Sequence, residues 1–186
     1  MKQFDMKGVL QRHKVIPVVT ITDLNDVDAV AEKILQNGVA CVEITLRSEV
    51  AFEAIKLFKQ KYGDKMDVGV GTIVYADQIK QAAELEVDFM VSPGFSPDLD
   101  VHFQEAKTPF IVGVNTPSEV MQGMSLGYDT FKFFPAKLAG GTKMLKTLGT
   151  VFPNVVFCPT GGITAESCED YLALNNVLSV GGSWMS

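Results

Sequence analysis

Lys132 is the only charged residue in Thr130-Phe-Lys-Phe-Phe-Pro-Ala136, a run otherwise apolar enough to read as a β-strand. An ordinary lysine, with a pKa near 10.4, is neutral only about once in 2,500 molecules at pH 7. Desolvation in an apolar wall brings such a group down toward roughly 7 to 8, where it becomes a usable nucleophile for carbonyl carbon. Schiff-base lysines are prepared in this way. Alternation along a strand puts Phe131 and Phe133 on one face, suited to a helix layer, and Thr130, Lys132 and Phe134 on the other. The same parity in Cys41-Val-Glu-Ile-Thr45 sends Val42 and Ile44 outward and Cys41, Glu43 and Thr45 inward, so an amine and a carboxylate can share one interior. A buried ion pair without a chemical role fits the same residues, and such a pair contributes little net stability.

The elements that would position this pair recur along the whole chain. Short apolar, β-branched runs begin at Val15, Ala40, Asp67, Asp88, Phe110, Thr130, Val155 and Val177, about 20 to 27 residues apart, the spacing of strand-loop-helix units. The gaps carry helical pattern. Val27, Val30, Ala31, Ile34 and Leu35 form an i, i+3, i+4 stripe that stops at Gly38, and Ala51, Ala54, Ile55 and Phe58 form another. Thr116-Pro-Ser-Glu119 is a capping box with proline at the first helical position, and Thr164 caps a helix reaching Leu172. Eight such units predict an α/β chain folded as a (β/α)8 TIM barrel, one domain over residues 1–186 with residues 1–14 as a helical extension. The chain is shorter than the roughly 250 residues usual for that fold. An open doubly wound sheet fits less well, because it expects a Gly-rich turn after the first strand and Val-Ile-Pro-Val-Val-Thr-Ile-Thr-Asp has none. The sequence stops a few residues past the last strand, so the eighth helix is missing. The expectation is that a C-terminal segment is absent, or that residues 2–13 or a neighbouring subunit cover the exposed flank.

Barrel enzymes keep their chemistry at the C-terminal ends of the strands, where Lys132 and Glu43 fall. Thr160-Gly161-Gly162 follows the seventh strand and Gly181-Gly182-Ser183 the eighth, the two loops that commonly form a phosphate site in barrels. Glycines let backbone N–H groups approach an anion, and Ser183 adds a hydroxyl donor; a single such turn would be just a tight turn. Arg47, after the second strand, has the shape to clamp a carboxylate, although an exposed loop arginine is the commoner reading. Thr72 and Pro93-Gly94 read equally well as strand-ending turns.

Composition narrows the partners. With 47% hydrophobic and 20% charged residues the chain can bury a sizeable core. A net charge of −6 without a Lys/Arg block argues against a sequence-independent grip on nucleic acid. No apolar run has the length of a signal peptide or a membrane span, and a cytoplasmic location is expected. Cys41, Cys158 and Cys168 lack paired spacing and read as packed, reduced thiols. His13 and His102, far apart and expected to face solvent, build no metal centre.

At these residues the sequence resembles the 2-keto-3-deoxy-6-phosphogluconate (KDPG) aldolase family, which includes the 4-hydroxy-2-oxoglutarate (KHG) aldolases. The matching stretches are VEITLRS, VGVGTI, VSPG, FKFFPA, FPNVVFCPTGGIT, YLAL and VGGSW, in the family's order from about residue 15 onward. The resemblance implies a class I aldolase on a TIM barrel, usually a homotrimer, that uses neither cofactor nor metal. It makes Lys132 the Schiff-base lysine and Glu43 the general acid/base. Arg47 and Thr72 then hold the pyruvyl carboxylate, with Pro93 lining the pocket and Thr160 beside it, and Gly161, Gly162, Gly182 and Ser183 form the phosphate end. The chain departs from the family pattern at Thr20, Asn115 and Lys137, which leaves open the choice among KDPG, its galactonate epimer and 4-hydroxy-2-oxoglutarate. Two other readings stand beside the aldolase: a non-aldolase isomerase or synthase on a phosphate-binding barrel, and an inactive sugar-phosphate-binding protein.

Overall fold

The computed structural model describes residues 3–185. A short helix α1 (Met6–Arg12) leads into β1 (Val15–Val19), and strands and helices then alternate: α2 (Val27–Gln36), β2 (Cys41–Thr45), α3 (Ala51–Tyr62), β3 (Asp67–Gly71), α4 (Ala76–Glu84), β4 (Phe89–Val91), α5 (Pro97–Ala106), β5 (Phe110–Val114), α6 (Pro117–Ser125), β6 (Thr130–Phe133), α7 (Gly141–Val151), β7 (Val156–Pro159), α8 (Ala165–Leu172) and β8 (Val180–Gly182). All eight strands are parallel, in the order β7-β6-β5-β4-β3-β2-β1-β8. The ring closes between β7 and β8 through isolated pairings, Phe157 with Val177 and Thr160 with Gly181. Two residues separate these pairings on the β7 side and three on the β8 side, so the register slips by one residue at the closure. The strands stand where the apolar runs predicted them, because parallel strands covered on both faces need near-continuous Val/Ile/Phe.

The helices form where the stripes and caps demand. Val27, Ala31 and Ile34 of α2 are buried, as are Ala51, Ala54, Ile55 and Phe58 of α3. Gly38 adopts a φ of 73°, the left-handed turn that ends α2. Thr116 and Glu119 form the capping box of α6, and Ser167 accepts from the Thr164 N–H at 3.0 Å to do the same for α8. Outward residues such as Val42, Ile44, Phe131 and Phe133 join these helices in the main core.

A second, smaller core fills the barrel itself. Ile16, Cys41, Phe89, Val91, Ile111 and Cys158 point inward and meet Met6, Val9 and Leu10 of α1. This corrects the expectation that the N-terminal stretch covers the flank left by a missing helix. Its apolar stripe instead plugs the N-terminal mouth of the barrel, where the ends of inward side chains would otherwise meet water. Among the described residues no helix follows β8; seven α-helices follow β1 to β7, and α1 precedes them all. Gln3 anchors the plug, its Nε2 donating to Thr130 O at 2.7 Å and its Oε1 accepting from Thr130 N at 3.3 Å, at the foot of the strand that carries Lys132.

His13 is a second correction. It does not face solvent but lies 2.7 Å from Asp67 Oδ2, which Arg12 also reaches at 3.2 Å, so the end of α1 is clasped to the start of β3. Burial raises the Asp67 carboxyl, but the hydrogen bonds from His13 and Arg12 outweigh it and hold the group below its usual range. A carboxyl depressed in the folded state stabilises it above the ordinary carboxylate pKa of about 4, and this contribution fades as pH falls through the depressed value. Asp67→Asn should therefore lower the melting temperature at pH 7 by about 2 to 4 °C, for a loss of roughly 1 kcal/mol. The gap should narrow steadily below about pH 4. A gap that persists unchanged at pH 2 in thermal melts would show that the clasp is not electrostatic.

Candidate active site

β6 and β2 stand on opposite sides of the barrel, three strands apart through β5, β4 and β3. Their inward side chains nevertheless meet: Lys132 Nζ lies 3.3 Å from Glu43 Oε1, with the two side chains 8% and 5% exposed. The contact is possible because β3 offers no side chain on this face above Asp67. Gly69 and Gly71 are the register partners of Glu43 and Thr45, and a Cβ on Gly71 would collide with the Glu43 carboxylate, while one on Gly69 would collide with the Phe89 ring. Phe89 thus fills the barrel below and Glu43 crosses it above. Gly71→Ala should push the carboxylate off the amine and slow catalysis by roughly 10²-fold with the fold intact, since misplacement of about 1 Å costs that much. Steady-state rates with circular dichroism as the control would test this, and a variant within threefold of the wild type would refute it.

The amine's surroundings are largely apolar. Its Nζ lies 5.4 Å from the centre of the Phe134 ring, two residues along the same face. Its register neighbour on β5 is Gly113, whose bare α-carbon leaves room for the Pro93 carbonyl; a Cβ would collide with it. The neighbour on β7 is Cys158, whose thiol is pushed up to about 12 by burial, against the opposing pull of the Lys132 ammonium. Cys158 is thus a protonated thiol at neutral pH and no rival nucleophile. Cys41 and Cys168 are likewise buried and unpaired.

Above the pair the strand ends open into a cleft of about 290 Å³ lined by Val18, Thr20, Arg47, Phe134, Thr160, Gly161, Gly162, Ile163, Gly182 and Ser183. Larger hollows of about 530 and 430 Å³ lie on the outside of the barrel, one between α7 and residues 173–176 and one between α4 and α5. They hold none of the candidate site residues named from the sequence. Six of those residues, Arg47, Thr160, Gly161, Gly162, Gly182 and Ser183, converge on the smaller rim cleft. Arg47 is exposed, and among the described residues its guanidinium makes no ion pair. Gly161 and Gly162 have φ of 101° and 74°, conformations that leave the turn to glycine. Thr160 pairs with Gly181, whose lack of a side chain admits the Thr160 hydroxyl.

Thr72 and Pro93 are not in the cleft lining; they follow the ends of β3 and β4, with the Pro93 carbonyl against Gly113, the register neighbour of Lys132. Thr72 has φ 65°, a strained conformation for a β-branched residue, clamped between the bonds from Leu46 N to Gly71 O and from Ile73 N to Val91 O. Three further residues of this region were named from the sequence but not given a place in the site. Phe134 and Cys158 share the inward parity of Lys132 and Thr160, which was a signal available in the sequence. The third is Thr20, which shares a 2.7 Å hydrogen bond with Thr45 and lines the cleft beside Arg47.

The comparisons agree with this geometry. The family model described as "KDPG and KHG aldolase" matches residues 6–186. The 2-dehydro-3-deoxy-phosphogluconate aldolase of Zymomonas mobilis is 42% identical over 181 residues, 97% of this chain and 86% of that protein. Among solved structures, the KDPG aldolase of Legionella pneumophila, with pyruvate captured as a covalent carbinolamine, superposes with a TM-score of 0.93 at 41% identity, covering 97% of this chain and 87% of that one. The Zymomonas mobilis ZM4 aldolase with 3-phosphoglycerate also gives 0.93, at 42% identity over 98% and 86% of the two chains. The (β/α)8 barrel, the buried lysine and carboxylate and these likenesses lead to one conclusion: the chain belongs to the KDPG and KHG aldolase family.

Proposed function

We propose that the protein is a class I aldolase that cleaves 2-keto-3-deoxy-6-phosphogluconate to pyruvate and glyceraldehyde 3-phosphate. The observation that carries this reading is Lys132 Nζ at 3.3 Å from Glu43 Oε1 inside a barrel whose mouth carries an arginine and two glycine turns. In the proposed cycle the Lys132 amine attacks the C2 ketone, and the carbinolamine loses water to give an iminium. Glu43 takes the C4 hydroxyl proton as the C3–C4 bond breaks, and that electron pair moves into the iminium to form an enamine. Glyceraldehyde 3-phosphate leaves, C3 is protonated, and water hydrolyses the imine to release pyruvate and restore the amine.

The remaining roles follow from charge and place. Arg47 and Thr72 hold the carboxylate of the pyruvyl unit, with Pro93 and Thr160 against it. The N–H groups of Gly161, Gly162 and Gly182 and the hydroxyl of Ser183 take the phosphate. The same chemistry serves 4-hydroxy-2-oxoglutarate, which the family name covers, with glyoxylate as the leaving aldehyde. Homotrimeric assembly belongs to this reading through the family resemblance, and a cytoplasmic location through the make-up of the N-terminal stretch. No helix among the described residues is long and apolar enough to cross a membrane.

The test is incubation with pyruvate and borohydride, followed by peptide mapping. A reduced pyruvyl adduct on Lys132 is expected from the aldolase. No adduct on a folded sample would favour a non-aldolase phosphate-binding barrel or an inactive sugar-phosphate binder.

A further inference from the structure

We infer that Lys137 is the cation of the cleft's phosphate end and sets a preference for phosphorylated over unphosphorylated 2-keto acids. The inference rests on the aldolase reading above and adds a specificity-determining residue to it. The turn after β6 is stitched to the turn after β7 by two backbone bonds, Ala136 N to Thr160 O at 2.8 Å and Lys137 N to Gly161 O at 3.0 Å. This fixes Lys137 directly against the Gly161-Gly162 pair. Its aliphatic stem then lies along Gly162: a methyl group built on that glycine would stand 2.8 Å from Lys137 Cβ and 3.1 Å from Cδ. The ammonium is two bonds beyond Cδ, next to a residue that lines the cleft. Gly162 therefore has two reasons to be glycine, its φ of 74° and the lysine stem packed on it.

The charge of Lys137 is also uncommitted. Among the described residues its side chain makes no hydrogen bond and no ion pair, although acidic residues outnumber basic ones by 22 to 16. The other lysine at this site, Lys132, is already engaged with Glu43. The glycine turns provide N–H donors but no formal charge, and a phosphomonoester is close to a dianion at neutral pH. An ammonium beside the Gly162 turn supplies the missing charge without the fixed geometry of a guanidinium.

The experiment compares kcat/KM for KDPG and for 4-hydroxy-2-oxoglutarate in the wild type, Lys137→Ala and Lys137→Arg, with inorganic phosphate as a competitive inhibitor. The expected result is a roughly tenfold fall in the phosphorylated-to-unphosphorylated ratio in Lys137→Ala, carried by KM, a similar weakening of phosphate inhibition, and recovery of both in Lys137→Arg. Residue 137 is exposed, so loss of folding is not expected to cloud the comparison. A wild type that prefers the phosphorylated substrate and is inhibited by phosphate, together with an alanine variant that keeps both properties, overturns the role of Lys137 alone. A wild type with neither property overturns the phosphate end of the cleft and this inference with it, while lysine trapping by pyruvate would still test the aldolase reading separately.

Discussion

Lys132→Met should lower turnover by on the order of 10⁴- to 10⁶-fold and leave no borohydride-trapped pyruvate on the protein, because a nucleophile removed from a concerted site takes most of the catalysis with it. Methionine fills nearly the same volume beside Phe134, Gly113 and Cys158, so packing survives. The cost falls on Glu43, which is 3% exposed and loses its counter-charge. Removing one partner of a buried pair destabilises by about 3 to 5 kcal/mol, whereas removing both is often close to neutral. The double variant Lys132→Met, Glu43→Gln should therefore regain most of the denaturant stability lost in the single variant while staying inactive. Denaturant melts and single-turnover assays on the three proteins separate the two effects. Turnover within tenfold of the wild type in Lys132→Met would mean that another group is the nucleophile. A double variant less stable than either single one would mean that the pair is not held by mutual charge compensation.

How much of this was readable beforehand follows from the range of each interaction. The strand runs at Val15, Asp67, Phe110 and Thr130 begin where β1, β3, β5 and β6 begin, because a strand buried on both faces must be apolar through its length whatever its neighbours are. The inward placement of Lys132 and Glu43 needed only the two-residue alternation. The resemblance to the aldolases added the roles as expectations, and the family model bears out the membership alone. The parts that stayed hidden depend on distant residues. The stripe of Met6, Val9 and Leu10 announces a buried face but not the barrel mouth as its partner. His13 and Asp67 are 54 residues apart and carry no local sign of pairing. Gly71 and Gly113 look like ordinary strand glycines until the Glu43 carboxylate and the Pro93 carbonyl are seen in the space a side chain would take.

Glu43→Gln separates the two halves of the proposed cycle. Glutamine keeps the length and shape of glutamate, and its Oε1 can still accept from the Lys132 amine across the 3.3 Å contact, so the nucleophile remains in place. What the amide loses is the capacity to take and return a proton. Pyruvate should therefore still form a trappable imine in the variant, while cleavage of KDPG slows by roughly 10² to 10⁴, the usual size of an acid/base contribution. A purely structural carboxylate would instead affect trapping and cleavage together, since both would suffer from a displaced lysine. Exchange of the pyruvate methyl protons in deuterated water adds an independent readout, because it requires imine formation and then proton removal from C3 to give the enamine. If Glu43 handles that proton, exchange should slow with cleavage while borohydride trapping persists. Exchange at the wild-type rate in a variant that cannot cleave KDPG would confine Glu43 to the C4 hydroxyl, and unchanged cleavage would remove it from the mechanism altogether.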